Sequence, residues 1–173
     1  MFMAQSAIHQ SAIVIGVGNP YRHDDAVGLI LARRLKGELP GNVAVIEASG
    51  EGAALMEAWR EMETVVIIDA AHSGVAPGTV HRLDAHTRRI PNRLFHYSTH
   101  AFSVAEAVEL ARALGGLPPR LIIYGIEGKD FTSGEGLSLE VAPAAEEVAR
   151  RVREEMQCLT SQQPGNEWLK LLV

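Results

Sequence analysis

The run Ile13-Val14-Ile15-Gly16-Val17-Gly18-Asn19-Pro20-Tyr21-Arg22-His23-Asp24-Asp25-Ala26-Val27-Gly28 limits what this chain can fold into more than any other segment. A β-branched apolar stretch breaks at two glycines into a tight turn, and two adjacent carboxylates then open a helical pattern. A strand that feeds a helix this way is the first half of a βαβ unit, which requires a parallel neighbour for the strand. Side chains at such a strand-to-helix edge are held still by the packed scaffold and often serve function. A turn built for a nucleotide phosphate would be positively charged, whereas this one presents acids, which suit a cation.

The rest of the chain continues the alternation. Residues 13–17 read as a buried strand, and Val27, Ile30, Leu31 and Leu35 recur at helical spacing from Asp25 onward. Residues 43–46 form a second expected strand, ending at Glu47 before a Ser49-Gly50 turn. A short helix over 53–62 turns Leu55, Met56 and Trp59 inward. Residues 64–68 form a third strand, ending at Asp69, and 79–83 a fourth after the Pro77-Gly78 turn. The segment 86–99 has no clear period. Ser103 and Glu106 form a capping box for a helix over 103–114. Residues 121–124 are a buried strand, 125–136 a glycine-rich loop, and 141–156 a closing helix. The pattern predicts an α/β fold: a three-layer α/β/α sandwich around a mainly parallel, twisted sheet of about five strands. Residues 1–159 are expected to form one domain and 160–173 a tail, whose Trp168 and leucines are available to dock.

Composition narrows the class. A chain of 173 residues, 47% hydrophobic, can bury a real core. A net charge of −5 argues against nucleic acid as a partner. No apolar run is long enough to cross a bilayer, and residues 1–12 do not resemble a secretory signal. The single cysteine, Cys158, excludes an internal disulfide framework and a multi-cysteine metal site, and points to a reducing, cytoplasmic setting.

Three chemistries compete for the opening turn. The dinucleotide pattern needs a third glycine where Tyr21 stands, and a diphosphate there would face Asp24 and Asp25. Nucleophilic catalysis finds no Gly-x-Ser-x-Gly elbow and no His-Glu-x-x-His helix, and Cys158 lies far from the expected crevice. A metal site asks for oxygen or imidazole ligands converging from several segments, and Asp25, Asp69 and His100 meet that description. His96 and His72 compete with His100 for the imidazole position. Asp69 also fits a turn-capping role, and one of Asp24 and Asp25 fits simple helix capping.

The set Gly16, Gly18, Asn19, Asp24, Asp25 and Gly28 resembles the opening motif of the [NiFe]-hydrogenase maturation endopeptidases. The resemblance continues through Val65-Val66-Ile67-Ile68-Asp69, through Thr99-His100 ahead of Ser103, and through Tyr124-Gly125-Ile126-Glu127-Gly128-Lys129-Asp130-Phe131. It implies an α/β sandwich and an endopeptidase that removes a C-terminal extension from a hydrogenase large-subunit precursor after nickel insertion. It further implies that nickel arrives with the precursor, with cadmium or zinc as surrogates in vitro. Asp25, Asp69 and His100 would contact the metal, and Glu47 would be a further functional acid. Better-known members carry Glu at the position of Asp25, and their Asp-Gly-Gly turn reads Glu47-Ala48-Ser49-Gly50 here. A module that binds the loaded precursor without cutting it is the alternative expectation, and a nucleotide-binding oxidoreductase a more distant one.

Overall fold

The computed structural model describes residues 11–95 and 103–161. Five strands form one sheet: β1 (Ala12–Val17), β2 (Val43–Ala48), β3 (Thr64–Ala71), β4 (Val80–Asp84) and β5 (Arg120–Glu127), in the order β2-β1-β3-β5-β4. All pairings are parallel except β4 with β5, so the sheet is mainly parallel with one antiparallel edge. The helices are α1 (Val27–Leu35), α2 (Gly52–Trp59), α3 (Val104–Ala113) and α4 (Val141–Ser161). None of the described helices is long and apolar enough to cross a membrane.

The layers follow from the period of two along each strand. On β3, Val65 and Ile67 face a core shared with Leu55 and Trp59 of α2 and Val104 and Val108 of α3. Val66 and Ile68 face the opposite core, with Val27, Leu31 and Leu35 of α1 and Val148 and Val152 of α4. The central strands β1 and β3 are buried along their whole length, as strands covered on both faces must be. The expected α/β/α sandwich is therefore the architecture found.

Differences from the sequence expectation concern boundaries. The run after β1 enters a 3-10 turn, His23–Ala26, and α1 starts only at Val27, so Asp25 precedes the helix instead of beginning it. Leu29 rather than Ile30 joins the buried face of α1. Pairing of Asp69 with Gly125, Ala70 with Ile126 and Ala71 with Glu127 carries β3 and β5 three residues beyond their apolar runs. Asp69 and Glu127 thus lie on strands, where polar residues had marked an end in the sequence. The capping box is present: Ser103 accepts from the Glu106 amide, and the Glu106 side chain accepts from the Ser103 amide. Helix α4 continues five residues past Met156; residues 162–173, with Trp168, lie outside the described residues.

Two glycines allow the first βα unit to close. A Cβ on Gly16 would stand 2.1 Å from Gly28 O and 2.6 Å from Ala32 Cβ. A Cβ on Gly28 would stand 2.2 Å from Val17 O and 2.3 Å from Ile68 O. The start of α1 therefore rests directly on the backbones of β1 and β3, at a distance only glycine permits. Gly28→Ala should cost about 3 kcal/mol through overpacking against backbone atoms that cannot step aside. Gly41→Ala, with nothing within 4 Å of its Cβ position, is the neutral control. Urea unfolding of the two variants measures the difference.

Candidate functional site

In an open parallel sheet, ligands bind beyond the strand carboxyl ends where adjacent connections diverge. Here that point lies between β1 and β3, because the chain leaves β1 toward β2 and leaves β3 toward the β4–β5 side. A cleft of about 160 Å³ opens there. Its floor carries Asp25 and Asp69, and its walls include Asn19, Gly50, His72, Phe95 and Phe131.

Each side chain is placed by a specific constraint. Asp69 shares the β3 face of Val65 and Ile67, so its carboxylate points toward the α2–α3 side at the cleft end of the sheet. Asp25 is held by its own turn. Its amide donates to Arg22 O at 3.0 Å, and its carbonyl accepts from the Asn19 amide at 3.3 Å. Gly18, at φ 151°, passes so close beneath this turn that a Cβ there would stand 1.9 Å from Asp25 O. His72 follows β3 directly, with its amide donating to Leu94 O at 2.9 Å and its ring edge-on to Phe131 at 5.3 Å.

The two adjacent aspartates have separate tasks, and neither side chain caps a helix. Asp24 is fully buried, and its carboxylate accepts from the amides of Lys129 (2.8 Å), Asp130 (2.9 Å) and Ser138 (2.7 Å) and from Ser138 Oγ (2.9 Å). It ties the loop after β5 to the turn after β1. Arg22 Nε adds a bond to Phe131 O at 3.1 Å. Together these contacts seat Phe131 in the cleft wall. The helix-capping role expected of one aspartate is thus replaced by a clamp on a distant loop.

Asp25 and Asp69 are electrostatically coupled on the cleft floor. Burial raises the Asp25 pKa, and Arg22, 3.9 Å away, offsets part of that rise. Burial and then the Asp25 charge push Asp69 up to about 8, against one bond from the Ala70 amide at 2.8 Å. Near neutrality Asp69 therefore holds a proton, and burial also biases Asp25 toward its protonated form. Such a floor is short of positive charge and suits a cation or a proton-transfer role.

Other expected site residues fall elsewhere. Glu47 lies inside β2 on the α1 face, the face opposite Asp69, and pairs with Arg33 at 2.7 Å. Its expected place in the site is corrected by the strand period: a residue one position along would face the other way. His100 and His96 lie outside the described residues. Among the described residues no three His, Cys, Asp or Glu side chains group closely enough to hold a metal ion. The sequence reading missed Glu127, which is 1% exposed at the end of β5. It accepts from the Ser73 amide (2.6 Å), Ser73 Oγ (2.9 Å) and the Gly74 amide (2.8 Å), with His81 Nε2 at 3.3 Å. Against the desolvation that burial imposes, these partners hold its carboxyl below the usual range. Glu127 shapes the turn that carries His72; an acid directly after an apolar strand run was the available signal.

Comparison with known proteins identifies the family and agrees with the fold. A sequence model of the hydrogenase maturation protease family matches residues 29–155. The hydrogenase expression/formation protein HupD of Rhizobium leguminosarum bv. viciae is 27% identical over 146 residues, 81% of this chain and 72% of that protein. HupD of Thiocapsa roseopersicina is 27% identical over 119 residues, and the match spans about half of its length, 53%. The fold resembles the hydrogenase maturating endopeptidase HybD from E. coli, with a TM-score of 0.66 and 27% identity, covering 83% of this chain and 93% of that one.

The raised Asp69 pKa fixes the sign of a stability profile. Between pH 3.8 and about 8 the folded state holds a proton that the unfolded chain has released. Stability then falls as pH rises through that window, by up to about 1.4 kcal/mol per unit. Asp69→Asn removes this dependence. Denaturant titrations from pH 5 to 8 should show the variant gaining stability relative to the parent as pH increases.

Proposed function

The chain belongs to the hydrogenase maturation protease family, a family of endopeptidases, and from that premise we propose that it cuts a C-terminal extension from a [NiFe]-hydrogenase large-subunit precursor once nickel is in place. The observation that carries this reading is the buried Asp25–Asp69 pair on the floor of the cleft. Nickel held by the precursor is the cation this floor lacks. On docking, it displaces the Asp69 proton and removes the electrostatic cost of burying two carboxylates. A precursor without metal brings no such compensation, so cleavage reports on metal insertion.

Hydrolysis needs a water oxygen to bond to the scissile carbonyl carbon, the C–N bond to break and the departing nitrogen to gain a proton. With both carboxyls ionised once the loaded precursor has docked, a carboxylate of the pair accepts the proton from water, and the proton then passes to the departing amine. Bound nickel polarises the carbonyl or the water. His100 is the third metal contact of this reading, as the family resemblance implies. The reaction is assigned to the cytoplasm, in keeping with a sequence that holds a single cysteine.

Purified precursor, with and without nickel, tests the proposal by gel shift and intact mass. Loaded precursor should lose its C-terminal peptide and unloaded precursor should not. Asp25→Asn and Asp69→Asn should slow processing at least about a hundredfold, the range of a lost acid–base group. Glu154→Gln, altered on the exposed face of α4, should process within about twofold of the parent, as surface changes generally do. Undiminished cleavage by both aspartate variants would refute the site, and binding without cleavage would leave a chaperone in place of a protease.

A further inference from the structure

The sheet has two edges, and they are built differently. At one edge, β4 reads Val-His-Arg-Leu-Asp, with Arg82 bonded to Glu155 and His81 beside Glu127; charges of this kind discourage strand addition. At the other edge, β2 reads Val-Ala-Val-Ile-Glu-Ala, and its one charge is neutralised by Arg33. Among the described residues nothing pairs with the outer side of β2.

The hydrogen-bond direction is fixed by one contact. The Gly18 amide donates to Ala48 O at 3.2 Å, so the backbone groups of Ala44, Ile46 and Ala48 face β1. The N–H and C=O of Val45 and Glu47 then face outward. Beside them a groove of about 560 Å³ runs between β2 and α1, lined by Val45 and Glu47 from β2 and by Ala32, Arg33 and Lys36 from α1. At its carboxyl end β2 runs into Ser49 and Gly50, which line the cleft.

We propose that the free edge of β2 is the docking track for an extended segment of the precursor polypeptide, which adds as a sixth strand and delivers the scissile bond to the cleft. This rests on the protease reading of the same cleft. Main-chain bonds to Val45 and Glu47 supply affinity with little dependence on side chains, and the groove beside Val45 and Ala32 takes alternate side chains. Lys36 on the groove wall favours an acidic side chain in that segment. An edge left free of charge would otherwise invite unwanted pairing, and its continuity with the cleft gives that exposure a use.

The test is amide hydrogen exchange read beside cleavage kinetics, with purified nickel-loaded precursor as the probe. In the isolated protein the Val45 and Glu47 amides should exchange freely while those of Ala44 and Ile46 are protected, and precursor should protect all four. Val45→Pro removes an N–H that β1 does not use, so the sheet survives while the added strand loses its bond and meets a proline. It should raise KM about tenfold or more and leave kcat within about twofold, the pattern of lost uniform binding. Unchanged kcat/KM in this variant would overturn the proposal while leaving the protease reading intact; failure of the parent to cleave at all would overturn that reading itself. Protection of Val45 and Glu47 before precursor is added would also overturn it, assigning the edge to a second copy if concentration-dependent and to this chain if not. Should Val45→Pro not fold, the exchange result on the parent decides alone.

Discussion

The contact between α1 and the ends of β1 and β3 is the constraint on which the site depends. Gly16 and Gly28 let the helix start lie on strand backbone, and Gly18 lets the connecting turn fold back beneath Asp25. A side chain at any of the three would lift the turn away from the sheet. Asp25 would then leave the neighbourhood of Asp69, and the repulsion that adds to burial in keeping a proton on Asp69 would weaken. The glycines first resemble a phosphate cradle, yet their space is taken up by the protein's own backbone. Close packing thus sets the electrostatics of the cleft.

Around that contact, buried carboxylates hold the loops in place. Asp24 gathers four donors from the loop after β5, and Glu127 gathers the turn after β3. Each of these acids accepts from several donors, which offsets the cost of burying it. Asp25 and Asp69 have fewer partners and carry raised pKa values. The molecule therefore contains two kinds of buried acid. One kind organises loops, while the other faces the cleft.

This division explains what was legible in the sequence. The βα alternation, the capping box at Ser103 and the burial of 64–68 follow from local periodicity and survive in the structure. Asp69 was identifiable because an acid directly follows four β-branched residues. Glu47 looked equivalent, yet the strand period turns it to the α1 face, where Arg33 holds it. Asp24 and Asp25 are adjacent and identical in type, and their roles separate only through contacts with residues 129–138, more than a hundred positions away. No local pattern encodes such a contact. Glu127 was hidden for the same reason, its donors lying some fifty residues upstream.

Direct titration of the two cleft carboxyls by carbon-detected NMR tests this account most simply. Asp69 should titrate near pH 8 in the parent protein, and Asp25→Asn should move that titration downward by removing the neighbouring charge. Ordinary titration of both groups near pH 4 in the parent, unaltered at Asp69 by Asp25→Asn, would contradict the coupled pair and the cation-seeking cleft built on it.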